Sequence, residues 1–186
     1  MRLFVALEIS TSIREKLAEL LAALRAVSPQ TRWVRPENLH VTLKFIGEVP
    51  EAKLAAIRRA LTQVCSDQAV TLDFRGLGFF PDERHPRVLW AGVEASPNLV
   101  GLAADIEKAT ETLGIPREQR PFSPHLTLAR FEPARIPEQL WTAIQGNTGR
   151  DFGSLHTNHF HLIESKLKPS GAEYTTVESF GFAAEA

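Results

Sequence analysis

A histidine, an aliphatic residue, a threonine and a leucine stand together twice in this chain, as His40-Val41-Thr42-Leu43 and His125-Leu126-Thr127-Leu128. Side chains on a β-strand alternate between its faces, so each copy would set its His and Thr on one face and its aliphatics on the other. Two such strands facing each other would offer two imidazoles and two hydroxyls to one small anion. Imidazole titrates near neutrality, so a neutral ring and a charged ring can coexist. Such a pair suits general acid–base work: one ring takes a proton from an attacking nucleophile and the other protonates a leaving oxygen, each worth about 10²–10⁴ in rate. The threonine hydroxyls can donate to the non-bridging oxygens of a phosphate, where charge accumulates. This chemistry needs no metal, no cofactor and no covalent intermediate, and none is expected.

The rest of the chain must position these two stretches, and its periodicity supplies elements that could. Leu3–Ile9 reads as a buried strand. Ser10, Thr11 and Ser12 are candidate caps, with Ser12 and Glu15 at capping-box spacing, before the stripe Ile13, Leu17, Leu20, Leu21 and Leu24. This predicts a helix over about 11–26, ended by Ser28-Pro29. Thr31–Val34 reads as a short strand and Pro36-Glu37-Asn38 as a turn. Across Leu39–Ile46, Val41, Leu43 and Phe45 alternate with His40, Thr42 and Lys44, the pattern of a strand with one polar face. Pro50-Glu51 with Leu54, Ile57, Leu61 and Val64 predicts a second helix. Val70–Phe74 and Val88–Val93 read as strands, with a loop over Gly76–Arg87 between them.

Ser96 as N-cap and Pro97 at the first helical position open a third helix bearing Leu102, Ile106, Ala109 and Leu113, with Gly114 just past its end. His125–Phe131 is the second motif strand. Pro137, Leu140, Trp141 and Ile144 predict a short fourth helix ended near Gly146. Two strands, about 157–166 and 173–180, follow, joined by a turn around Pro169-Ser170-Gly171, with a loose tail after Phe182.

The two histidine motifs are not an isolated echo. Leu3-Phe4-Val5-Ala6-Leu7-Glu8-Ile9-Ser10 matches Leu89-Trp90-Ala91-Gly92-Val93-Glu94-Ala95-Ser96 at an offset of 86 (3 to 89). The histidines are offset by 85 (40 to 125), the helix-opening Pro-Glu pairs by 87 (50 to 137), and Thr71 and Phe74 meet Thr157 and Phe160 at 86 (71 to 157). Four landmarks in one order describe an internal repeat, roughly 1–87 and 88–182, of a strand–helix–strand–helix–strand unit. The expectation is a single bilobal α+β domain over 1–186: two pseudo-symmetric lobes, each an antiparallel sheet with helices on its outer side, around a central cleft.

Composition bounds the function. The 186 residues are 44% hydrophobic and 23% charged, enough for a sizeable core. A net charge of −1 argues against gripping long nucleic acid mainly through phosphates, yet allows one phosphate at one focused site. Cys65 is the lone cysteine, so no intramolecular disulfide or thiolate metal cluster can form, and in its helical stretch it reads as a small buried hydrophobe. The N-terminal run breaks at Glu8 and reads as a strand rather than a signal peptide, and no apolar run approaches spanning length. A cytoplasmic monomer without membrane association is expected.

The stretch from Trp33-Val34-Arg35-Pro36-Glu37-Asn38-Leu39 through His40-Val41-Thr42-Leu43-Lys44-Phe45-Ile46-Gly47 resembles the first signature of the RNA 2′,3′-cyclic phosphodiesterases, also called the bacterial and archaeal 2′-5′ RNA ligase family, of the two-histidine phosphoesterase superfamily. Gly78-Phe79-Phe80-Pro81 with Pro86-Arg87-Val88-Leu89-Trp90 is similar to the family's central segment. Pro121-Phe122-Ser123-Pro124-His125-Leu126-Thr127-Leu128-Ala129-Arg130 resembles its second signature. The resemblance implies a bilobal fold and metal-free opening of RNA ends or nucleotides bearing a 2′,3′-cyclic phosphate to a 2′-phosphate. It implies that His40 is the proton donor and His125 the proton acceptor; spacing by itself leaves that polarity open.

Thr42 and Thr127 are the candidate phosphate contacts. Arg130 stands where the family's second motif has an arginine, and a guanidinium forks well onto phosphate. It lies five residues beyond His125, however, so simple alternation puts it on the opposite face unless the strand bends, bulges or ends. Lys44 shares the face of His40 and either lends charge or stands solvated at a strand edge. Phe79 and Phe80 either stack a base or fill and cap the core.

His156, His159 and His161 raise a metal site as a rival, but no thiolate, carboxylate or His-Glu-x-x-His spacing accompanies them. A non-catalytic single-stranded RNA-binding module is a second rival; it calls for an aromatic, basic sheet face where these strands offer His and Thr. A third alternative is 2′-5′ RNA end joining at the same site, with an RNA hydroxyl attacking in place of water.

Overall fold

The computed structural model describes residues 1–66, 68–169 and 171–182. Strand β1 (Arg2–Glu8) leads to helix α1 (Thr11–Val27), the short β2 (Arg32–Trp33), a 3₁₀ turn at Pro36–Asn38 and β3 (His40–Glu48). A second 3₁₀ turn (Glu51–Lys53) runs into α2 (Leu54–Thr62), and β4 (Val70–Phe80), β5 (Val88–Ala95) and α3 (Asn98–Glu111) follow. The chain ends in β6 (His125–Arg130), α4 (Glu138–Gln145), β7 (Asp151–Thr157), β8 (His159–Lys168) and β9 (Gly171–Gly181).

These elements form two antiparallel sheets, ordered β3-β1-β8-β9 and β2-β6-β5-β4-β7. Leaving out the two-residue β2, the orders correspond: β3 with β6, β1 with β5, β8 with β4 and β9 with β7. Neither sheet is built from one half of the sequence. β4 joins the second sheet although it precedes β5, and β8 and β9 close the first sheet from the far end of the chain. The helices interlock as well: α1 packs on α4 and β7, while α2 packs on α3 and β9. One continuous apolar core results, running from Leu3, Val5 and Leu7 through the helix stripes to Leu89, Leu126 and Leu128. On the other face of the first sheet Phe4, Ala6 and Ile163 form a small separate apolar cluster, with Tyr174 against it.

Several local expectations change. Helix α1 is capped by Ser10, whose Oγ accepts from the Ile13 N–H at 3.4 Å, and not by a Ser12–Glu15 box. The Ser96 hydroxyl does not cap α3; it accepts from the Thr71 N–H at 3.0 Å and donates to Asn98 at 2.6 Å, tying β4 to the helix start. The predicted loop 76–87 is strand as far as Phe80: a register shift between Phe74 and Leu77, with Gly76 at φ +74°, bends β4 without ending it. Strand β7 has no counterpart in the periodicity reading, because Asp151-Phe152-Gly153-Ser154 alternates poorly and is recruited by pairing with β4. Cys65 lies past the end of α2 and is exposed, not buried. Ser170 of the predicted 169–171 turn and residues 183–186 of the tail lie outside the described residues.

No helix among the described residues is long and apolar enough to cross a membrane.

Candidate active site

The topology brings β3, at one edge of the first sheet, against β6 of the second. His40 and Thr42 therefore meet His125 and Thr127 around one cleft of about 350 Å³, which Arg130 also lines. All five residues singled out for phosphate chemistry share this cavity.

Each imidazole is anchored in the same way. His40 Nδ1 lies 2.6 Å from the Asn38 carbonyl oxygen, and His125 Nδ1 lies 2.8 Å from that of Ser123. A carbonyl only accepts, so Nδ1 carries the hydrogen in both rings and Nε2 is the nitrogen left for chemistry. The rings are also packed. His40 stands 4.7 Å from Phe4 and 5.3 Å, edge to face, from Tyr174; His125 stands 4.8 Å from Phe80, nearly perpendicular. Phe80 thus braces a histidine, while Phe79 is buried against Trp141.

Burial holds the His40 pKa below its ordinary 6.5; the Asn38 hydrogen bond works the other way, and the nearby His125 adds to the depression. The sign of that last effect matters, because proton occupancy of one ring disfavours occupancy of the other.

Arg130 reaches the cleft through a bulge. In the β5–β6 ladder Leu89 pairs Ala129 and Trp90 pairs Thr127, so Leu128 is an extra residue. Leu128 and Ala129 are consecutively buried, the alternation changes phase, and Arg130 emerges on the face of His125 and Thr127. The same irregularity stands at the equivalent place in β3: Val5 pairs Lys44 and Ala6 pairs Thr42, leaving Leu43 extra. Both readings of Lys44 are therefore corrected. It points into the core, 4% exposed, with Nζ donating to Glu107 at 2.7 Å and to the Pro116 carbonyl at 2.6 Å. Phe45, assigned to the apolar face by simple alternation, is instead 58% exposed and lines the cleft.

Arg2 and Tyr174 also line the cavity, and neither was singled out from the sequence. Burial pushes the Tyr174 phenol up, and the charges of Arg2 and Arg130 oppose that shift, so both guanidiniums lie within electrostatic reach of its hydroxyl. The cleft thus combines two imidazoles, two threonine hydroxyls, the Tyr174 phenol, two guanidiniums and exposed aromatic surface.

The remaining histidines sit elsewhere. His156 is on β7, 3.3 Å from the Thr71 hydroxyl, and His161 is on β8, 2.9 Å from Ser179. His156 and His161 belong to different sheets, and no group of three or more metal-ligating side chains occurs among the described residues.

Comparison with known proteins gives the family of the chain. The chain matches the LigT-like phosphoesterase family twice over, at residues 7–90 and again at 92–174. It is 38% identical over 180 residues to an Archaeoglobus fulgidus protein named RNA 2′,3′-cyclic phosphodiesterase, covering 97% of this chain and 99% of the relative. A Thermus thermophilus protein of the same name is 37% identical over 198 residues, covering 100% and 92%. The crystal structure of TT0787 of Thermus thermophilus superposes with a TM-score of 0.80 at 33% identity, covering both chains fully. That of E. coli LigT with 3′-AMP gives 0.77 at 28% identity, covering 98% of each. The chain belongs to the LigT-like phosphoesterase family.

Proposed function

We propose that this protein opens 2′,3′-cyclic phosphates at RNA ends to 2′-phosphates, using two histidines and no metal. The observation that carries the reading is the matched pair of imidazoles, each locked by a backbone carbonyl so that its Nε2 is available across one cleft. Opening the ring with water requires a base for the nucleophile and an acid for the departing oxygen. The names of the relatives supply the substrate class.

In this reading His125 takes the proton from water and His40 gives one to the ribose O3′. Burial favours neutral His40 in the free protein. An anionic phosphodiester in the cleft draws a proton onto it, and the same burial then makes the imidazolium a ready donor. The Thr42 and Thr127 hydroxyls and the Arg130 guanidinium hold the non-bridging oxygens as the fifth bond forms. Phe45 and Tyr174 give the nucleoside an aromatic wall. RNA end joining would use the same groups with an RNA hydroxyl as nucleophile.

The test is turnover of adenosine 2′,3′-cyclic phosphate by the purified protein in EDTA, with the product identified as 2′- or 3′-phosphate. His40→Ala and His125→Ala should each lose about 10²–10⁴ in kcat. Full activity in either variant, or dependence on added metal, rejects the mechanism.

A further inference from the structure

A second cavity, of about 460 Å³, opens on the far side of Arg130 and is lined by Arg32, Arg130, Glu132 and Arg135. Arg130 lines both this cavity and the catalytic cleft, so the two lie next to each other at that residue. In the β2–β6 ladder Arg32 stands directly opposite Arg130. Like charges at directly opposed positions destabilise a sheet, since their Cβ atoms are only about 5 Å apart. Arg32 is offset in part by Glu132 at 3.0 Å, but that pair is 72% and 73% exposed and well screened. Arg130 and Arg135 have no carboxylate partner among the described residues. A chain whose net charge is −1 therefore concentrates three arginines and one glutamate at this spot.

One phosphate at the histidines engages only the nearest of these arginines. We infer that the Arg32–Arg135 cavity is a second phosphate subsite, which binds the 5′-phosphate of the nucleotide whose 2′,3′-cyclic phosphate lies between the histidines. The substrate class is then a polynucleotide 3′ end, or a nucleotide carrying a 5′-phosphate, in preference to a bare nucleoside cyclic phosphate. This rests on the cyclic-phosphodiesterase reading and adds chain polarity to it: the strand runs from the histidines past Arg130 and leaves over β2. Because β2 is two residues long, it leaves that rim of the sheet open. Arg130 and Arg32, as direct cross-strand neighbours with long side chains, can meet successive phosphates of one strand.

The experiment compares adenosine 2′,3′-cyclic phosphate with its 5′-phosphorylated counterpart, by kcat/KM at low salt, in the full chain. The 5′-phosphate should raise kcat/KM about tenfold, mainly through KM, and that gain should shrink as the salt concentration rises. Arg32→Gln with Arg135→Gln should bring the ratio of the two substrates to near one. Glu132→Gln should raise the ratio, because it releases Arg32, an increase that a merely structural role would not produce. A native ratio near one, or a ratio unmoved by the double variant, overturns the subsite.

A binding arm separates this outcome from failure of the reaction itself. Calorimetry on the native chain compares adenosine 2′-phosphate with adenosine 2′,5′-bisphosphate. Tighter binding of the bisphosphate, lost in the double variant, supports the subsite even if neither cyclic substrate is opened. Equal binding of the two overturns it.

Discussion

His40 and His125 share the same carbonyl anchor and the same neighbouring threonine, yet their surroundings differ. His40 is wedged between Phe4 and Tyr174, whereas His125 meets Phe80 alone among the aromatic rings described. Burial is the largest influence on His40 and His125's charge a smaller one in the same direction. Two outcomes follow at this scale. Replacing His125 by Asn should raise the His40 pKa part of the way toward 6.5, read from the pH dependence of its ring resonances by NMR; an unchanged or lower value would refute coupling of the rings. The second concerns stability. The depressed pKa means that the unfolded chain takes up this proton before the folded one does. The stability owed to a neutral His40 is thus complete above about pH 6.5 and is lost as pH falls through the folded value. Denaturant midpoints across that window should fall on acidification, and His40→Gln should flatten the fall.

At the scale of elements, the bulges at Leu43 and Leu128 decide which side chains share the cleft. They invert the strand phase so that Phe45 and Arg130 follow the His and Thr residues, while Lys44 and Ala129 join the core. The two equivalent positions carry an aromatic and a cation, so the pseudo-two-fold is broken where a nucleotide would need to be oriented. β5 supports this arrangement through its one glycine. Gly92 pairs with His125, and a Cβ at Gly92 would stand 2.4 Å from the Arg75 carbonyl oxygen, a backbone atom that cannot swing away. Gly92→Ala should cost about 2–3 kcal/mol in chemical denaturation and lower turnover by displacing the strand beside His125. Gly101, on the exposed side of α3 with nothing near its would-be Cβ, provides the contrast. Gly101→Ala should stabilise by about 0.5–1 kcal/mol, through helix propensity alone.

For the whole molecule, the relevant fact is how the two sheets are fixed to each other. Lys44, on β3 of the first sheet, is pinned to Glu107 on α3 and to Pro116, in the segment leading toward Ser123 and His125. That segment is held further by the Glu118 N–H, which donates to the Glu107 carboxylate at 3.4 Å. The pair is 2% and 19% exposed, so breaking one side strands a charge in the interior. Lys44→Met should therefore destabilise by about 3 kcal/mol, while the double change Lys44→Met with Glu107→Leu should recover most of that loss. If both proteins stay folded, comparing their turnover asks whether the buried pair also sets the distance between the histidines. A double variant with native stability and reduced kcat would say that it does.

Much of the site was legible in the chain. The duplicated His-x-Thr, its offset of 85 and the strand periodicity around it are local properties, because alternation along a strand follows from covalent geometry. Helix stripes such as Ile13-Leu17-Leu20-Leu21-Leu24 were legible for the same reason, and all five residues are buried as that pattern requires. The bulge at Leu128-Ala129 left a trace, two apolar neighbours ahead of Arg130, but in β3 the polar Lys44 hid the matching irregularity. What sequence could not supply was long-range pairing: that β4 would cross to the second sheet, that weakly patterned β7 would be drawn in beside it, and that Arg2 and Tyr174 would arrive at the cleft from opposite ends of the chain. By itself the sequence determined which residues could do the chemistry and which face of a strand each histidine shares with its threonine. Only the tertiary structure decided that the two strands meet, and that Lys44 goes in while Phe45 and Arg130 come out, because strand phase at a bulge depends on the partner strand and not on the residues alone.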